Sequence, residues 1–145
     1  MDIQTIIIVD WQLSGMSARI ALIAHDDKKP EMIDLVQTYE RLLSEFDIVG
    51  TGTTGQRIMD ETELDVDRKE SGPLGGDAQI AAEVAESRID GIIFLRDPLR
   101  AQPHEPDISA LLRLCDVHDV PLVTSRSGAE YLLEGIGRDE GHEIP

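Results

Sequence analysis

The sequence has 145 residues, 41% hydrophobic and 3% aromatic, with 29 acidic against 13 basic residues and a formal net charge of −16. That length supports one domain with a sizeable core, while the acidic balance and the lack of basic clusters and aromatic platforms argue against a nucleic-acid partner. No apolar run approaches the roughly 18 residues a membrane helix needs, no secretory signal opens the chain, and the single Cys115 leaves no intrachain disulfide framework, so a cytoplasmic protein is expected.

Residues 1–18 read as an N-terminal extension, in which residues 6–9 (IIIV) offer an edge strand and Met16 an alternative start. Residues 19–24 (RIALIA) form the first core strand, ending at His25-Asp26, and residues 31–45 carry apolar side chains at helical spacing. A second unit repeats the first: an apolar run over residues 46–49, the turn Gly50-Thr51-Gly52-Thr53-Thr54-Gly55, and a helical segment over 56–61. Residues 64–69 hold a short strand, and Ser71-Gly72-Pro73-Leu74-Gly75-Gly76 is a loop by its glycines and proline. Asp77 then caps an alanine-rich helix to about Ser87. The continuously apolar residues 91–95 (GIIFL) read as a buried strand, and residues 97–106 as a proline-punctuated loop. A helix containing Cys115, here a core thiol, precedes the last strand over residues 121–124. Ser127-Gly128-Ala129-Glu130 reads as a capping box for a terminal helix, and residues 135–145 as an acidic, Gly-rich tail.

This alternation predicts an α/β three-layer sandwich, a mostly parallel central sheet of about five strands with helices on both faces. In such sheets ligands sit beyond the carboxyl ends of the strands. Each conspicuous polar cluster falls there: His25-Asp26, Thr51 to Thr54, Ser71 to Asp77, and Asp97 to His104. The Gly/Thr turn opens a helix, where free N–H groups and the helix dipole favour an anion and glycine admits a phosphate close to the backbone. Lys29 is placed to add a cation, and Ser71-Gly72 a hydroxyl and a backbone donor.

Asp77 is a candidate base, since enclosure raises a carboxyl pKa by desolvation and its long loop brings it against a held ligand. His25 and His104 are candidate donors; Asp26, Asp97 and Asp107 are candidate supporting acids. Each has a plainer reading: a connector for the Gly/Thr turn, a surface lysine, a helix N-cap for Asp77, a core residue for His25, a solvated ring for His104, and surface charge for the acids. His25, Asp26 and His104 lack a recognised ligand spacing, and with no cysteine cluster a metal site is not expected.

Taken in order, Ala24-His25-Asp26, Lys29, Gly50-Thr51-Gly52-Thr53-Thr54-Gly55, Ser71 to Asp77, and Asp97-Pro98-Leu99 followed by Pro103-His104-Glu105-Pro106-Asp107 resemble the methylglyoxal synthase family over about residues 19–134. The resemblance implies a Rossmann-like catalytic domain over those residues, assembled as a homohexamer and using no metal or organic cofactor. It implies conversion of dihydroxyacetone phosphate to methylglyoxal and inorganic phosphate, with phosphate as product and inhibitor. It further implies phosphate contacts at Lys29, Thr53, Thr54, Ser71 and Gly72, substrate contacts at His25 and His104, and the base at Asp77. Some family members continue into a basic tail; here Arg126 and Arg138 are the only stand-ins near the end. The rival reading is a non-catalytic module binding a phosphorylated effector, as in the regulatory region of carbamoyl phosphate synthetase. A lysine-poor, acid-rich composition also resembles proteins of salt-loving organisms.

Overall fold

The computed structural model describes residues 17–145, so the expected edge strand at residues 6–9 and the question of Met16 lie outside the described residues. Among the described residues five strands form one all-parallel sheet in the order β3-β2-β1-β4-β5. They are β1 (Arg19–Ala24), β2 (Asp47–Gly50), β3 (Asp67–Arg68), β4 (Gly91–Leu95) and β5 (Leu122–Val123). The helices are α1 (Lys29–Thr38), α2 (Glu40–Leu43), α3 (Gly52–Glu61), α4 (Gly76–Ala85), α5 (Glu105–His118) and α6 (Arg126–Asp139).

The layers follow from side-chain alternation along β1. Ile20, Leu22 and Ala24 point to one face, against Met32, Leu35 and Val36 of α1, Ile58 of α3 and Leu133 of α6. Ala21 and Ile23 point to the other, against Ile80 and Val84 of α4 and Ile108 and Leu111 of α5. Covered on both sides, β1 and β4 are buried at every residue, which is why they read as unbroken apolar runs. Each fully buried Leu or Ile contributes about 1.5–3 kcal/mol relative to an exposed one. The sheet grows outward from β1 in both directions, through β2 on one side and β4 on the other. Strand order therefore reverses between β1 and β4, and the crevice above their carboxyl ends is where such folds bind ligands.

Several boundaries differ from the expected ones. The helix expected over residues 31–45 is two helices broken at Tyr39, whose backbone (φ −106, ψ 17) leaves helical geometry. The Tyr39 hydroxyl donates to Glu134 at 3.0 Å, and burial pushes its phenol up to about 12. The last helix is capped by Ser125, whose hydroxyl accepts the Gly128 N–H at 3.1 Å, not by a box at Ser127. It runs to Asp139, so the Gly-rich stretch from residue 135 is helical to that point. Gly137 is buried there, and a Cβ would stand 3.0 Å from the Leu42 side chain; this glycine marks a close helix contact where composition alone suggests a tail.

The amino ends of the strands are joined by a charge cluster around the buried Arg19 and Glu83. The Arg19 guanidinium donates to Glu83 of α4 at 2.7 and 3.1 Å, to Asp47 of β2 at 2.9 Å and to Asp67 of β3 at 2.7 Å. Lys69 lies 3.1 Å from Glu83. Burial works against the charge on Arg19, but its hydrogen bonds to Glu83, Asp67 and Asp47 outweigh that and raise its pKa. Burial likewise favours protonated Glu83, yet the bonds from Arg19 and Lys69 hold its carboxyl below the usual range. No helix among the described residues is long and apolar enough to cross a membrane.

Candidate active site

At the opposite, carboxyl end of the sheet the strand-end loops enclose a cavity of about 230 Å³. Its first wall is the turn after β2. Thr51 is extended and α3 begins at Gly52, so the first N–H groups of the helix lack intrahelical acceptors. The Gly52 N–H finds the Glu70 carbonyl at 3.0 Å and the Gly55 N–H the Thr51 carbonyl at 2.7 Å, leaving those of Thr53 and Thr54 at the positive end of the helix dipole. Gly52 is required by packing, because a Cβ there would lie 2.8 Å from the Ser71 nitrogen. The Thr54 hydroxyl, expected as a ligand donor, instead donates to the Ala24 carbonyl at 3.2 Å. Lys29 lines the same wall, with its ammonium 3.1 Å from the Ala24 carbonyl and 2.6 Å from Asp26.

The second wall is the loop before α4. Residues Gly72–Leu74 form a single 3-10 turn, and Gly75, at φ 107, reverses the chain into the helix in a conformation that strongly favours glycine. Gly75 is therefore the N-cap. Asp77, expected in that position, lies inside the first turn, and its side chain caps nothing. Its residue exposure is 0%, and neither carboxylate oxygen has a hydrogen-bond partner among the described residues. Burial pushes its pKa up, nearby His104 pulls it down and Asp107 pushes it up, with a net rise. The absence of a side chain at Gly72 keeps this space open: a Cβ would stand 2.7 Å from His104 Nε2 and 3.4 Å from Asp77 Oδ1.

The third wall comes from the ends of β1 and β4. His25 follows β1 directly, with its ring edge-on to Phe94 at 5.2 Å and to His104 at 6.2 Å. Its Nδ1 accepts the backbone N–H of Asp97 at 2.9 Å, which requires the lone pair there and puts the proton of the neutral ring on Nε2. Burial lowers the His25 pKa, with His104 and Arg96 acting in the same direction, so the ring is held neutral. Nε2 is buried without a partner among the described residues and is thus an uncommitted donor. His104, the N-cap of α5, brings Nε2 to 3.4 Å from Asp77 Oδ2. No hydrogen bond joins them, but the ring is close enough to act on the carboxylate.

A model of the MGS-like domain family matches residues 31–124. The chain is 55% identical over 121 residues to the methylglyoxal synthase of Oceanobacillus iheyensis, covering 83% of this chain and 86% of that protein. It is 59% identical over 118 residues to the methylglyoxal synthase of Clostridium perfringens, covering 81% and 99%. The chain belongs to the methylglyoxal synthase family. The crystal structure of the methylglyoxal synthase from Elizabethkingia anophelis superposes with a TM-score of 0.78 at 38% identity, over 89% of this chain and 86% of that one.

Of the residues picked out in the sequence, the cavity of this methylglyoxal synthase fold gathers His25, Asp26, Lys29, Thr51, Thr53, Thr54, Ser71, Gly72, Asp77 and His104. Asp97, Asp107 and Gly52 do not line it. Asp97 acts through its backbone on His25 and accepts the Leu99 N–H at 3.1 Å, while Asp107 is half-buried in the first turn of α5. Asp26 is at the rim with its side chain 94% exposed, and Lys29 holds its carboxyl below the usual range. Arg126 is tied to Asp34 and Glu130, and Arg138 to Glu134, so neither stand-in reaches the cavity. Cys115 is buried in the core and burial pushes its thiol up to about 11. Among the described residues no cluster of three His, Cys, Asp or Glu side chains is arranged to hold a metal ion. Gln102 lines the cavity and was not singled out from sequence; its only signal there was its place two residues before His104 in the loop after β4.

Proposed function

We propose that this chain is a carbon–oxygen lyase that converts dihydroxyacetone phosphate to methylglyoxal and inorganic phosphate. The observation that carries this reading is Asp77: a fully buried carboxylate without a hydrogen-bond partner among the described residues, facing a cavity whose other side is a helix N-terminus fit for a phosphate. In this reading residues 19–134 are the catalytic domain. The substrate phosphate is held by the N–H groups of Thr53 and Thr54, by Ser71 and Gly72, and by Lys29.

Asp77 removes a proton from the hydroxymethyl carbon, and the C–H electron pair forms the C=C bond of an enediolate as the carbonyl oxygen takes up charge. The Nε2–H of neutral His25 stabilises that oxygen, because a neutral imidazole donates without trapping the intermediate as an alcohol. The hydroxyl on the former hydroxymethyl carbon then gives up its proton to the departing phosphate, the electron pair left on that oxygen forms the aldehyde carbonyl, the C=C pair shifts toward the phosphate-bearing carbon, and the C–O bond breaks with phosphate taking its pair. The enolate left behind takes the proton held by Asp77 at its terminal carbon, which gives methylglyoxal and restores the base. Elimination requires the C–O bond perpendicular to the enediolate plane, so the phosphate cradle decides the product as well as the affinity. His104, against Asp77, steadies the charge on that carboxylate. A homohexameric assembly, a cytoplasmic location and inhibition by phosphate belong to the same proposal.

The test is incubation of the pure protein with dihydroxyacetone phosphate while following methylglyoxal and phosphate. Equimolar release of both is expected; binding without turnover would instead support an effector-binding module.

A further inference from the structure

Gln102, like Asp26 and Thr51, is a polar residue of the cavity wall to which the reaction above gives no part. Its backbone is fixed in both directions: its N–H donates to Glu105 Oε1 at 2.9 Å and its carbonyl accepts the Glu105 N–H at 3.3 Å. Pro103 follows it and restrains its conformation further. The side-chain amide is half-buried and makes no hydrogen bond to another described residue.

Strand order says which part of a ligand it meets. The Thr53-Thr54 part of the phosphate cradle follows β2, with Ser71 and Gly72 brought beside it by the loop after β3; His25 follows β1 and Gln102 stands in the loop after β4, and β2, β1 and β4 lie side by side in the sheet. Neighbouring strands are about 4.8 Å apart, so the carboxyl ends of β2 and β4 stand about 10 Å from each other. A triose phosphate laid along that line places its phosphate over β2, its carbonyl beside His25 and its hydroxymethyl end at the β4 loop. Asp77 and His104 meet at that end too. A carboxamide offers both an acceptor oxygen and donor hydrogens, matching a hydroxyl, which also donates and accepts; phosphate and carbonyl oxygens only accept.

We propose that Gln102 is a specificity-determining residue that grips the hydroxymethyl hydroxyl of the triose phosphate, turning a C–H bond toward Asp77 and favouring hydroxylated over deoxygenated substrates. This rests on the reading of the cavity as a triose phosphate site.

The experiment compares binding of dihydroxyacetone phosphate with that of hydroxyacetone phosphate, which carries a methyl group in place of the hydroxymethyl. Calorimetry in the Asp77→Asn background keeps the first ligand intact. The parent binds dihydroxyacetone phosphate about tenfold more tightly than the deoxygenated ligand. Adding Gln102→Leu cuts that preference to within about twofold and leaves the affinity for hydroxyacetone phosphate unchanged. Equal weakening of both ligands, or a preference that survives the substitution, would overturn the proposal; Gln102→Ala reads the same preference if the leucine variant does not fold. Absence of turnover by the unaltered protein, with no binding of either ligand, would remove the triose phosphate reading itself, an outcome separate from a failure at Gln102 alone.

Discussion

Helix α4 carries two buried carboxylates six residues apart, and they have opposite fates. Glu83, at the amino end of the sheet, is enclosed by Arg19 and Lys69, and its carboxyl is held ionised. Asp77, at the carboxyl end, has no hydrogen-bond partner among the described residues, and burial makes its ionised form costly. Burial is nearly the same for both, 4% exposure against 0%. What differs is satisfaction: a buried charge with its bonds complete holds elements together, and one without them is free to take a proton. The same helix thus anchors the fold at one end of the sheet and presents a base at the other.

The largest test of this contrast is Asp77→Asn, which should lower kcat by about ten-thousandfold while substrate affinity changes little, because the base is lost and the phosphate cradle remains. Turnover close to that of the unaltered protein would remove Asp77 from the mechanism. At the other end, Arg19→Met leaves Glu83 buried with one partner fewer and should lower stability by about 3 kcal/mol, seen in the urea midpoint. Turnover per folded molecule should be largely retained; unchanged stability would show that the cluster is not what fastens α4 and β3 to β1.

Asp77→Asn should also stabilise the fold at neutral pH, by about 1 kcal/mol or about 3 °C in Tm. The sign follows from linkage. A folded-state pKa raised above the unfolded value means that the carboxyl favours the folded state relatively more when protonated, and this advantage disappears as pH rises through the raised pKa. The Tm gap between variant and parent should therefore open from acid toward neutral pH, and a gap that narrowed along that path would contradict a raised Asp77. The smallest effect is long-range. The net charge of −16 opposes an incoming dianion, so raising salt from low concentration to about 0.5 M should increase kcat/KM about threefold. A flat response would confine electrostatics to the cavity.

The sheet was legible because parallel strands covered on both faces must be apolar throughout, as RIALIA and GIIFL are, and because the loops at their carboxyl ends hold the glycines and polar side chains. Local chemistry misled where two explanations share one signal. An aspartate before an alanine-rich helix reads as a cap, yet the left-handed Gly75 ends the loop and draws Asp77 into the first turn. Glycine at 137 reads as part of an acidic, Gly-rich tail and is a helix contact with Leu42. The Arg19 cluster joins residues from three strands and a helix, and Gln102 reaches the cavity only through the path of a loop. No spacing along the chain announces either.

The most direct measurement is a carboxyl 13C NMR titration of the protein labelled in Asp and Glu side chains, with Asp77→Asn and Glu83→Gln assigning the two signals. Asp77 should titrate above the ordinary aspartate value of 3.8 and Glu83 below the ordinary glutamate value of 4.5. An Asp77 midpoint at or below 3.8 would mean that its carboxylate is as well satisfied as its neighbour's, and would contradict its role as the poised base.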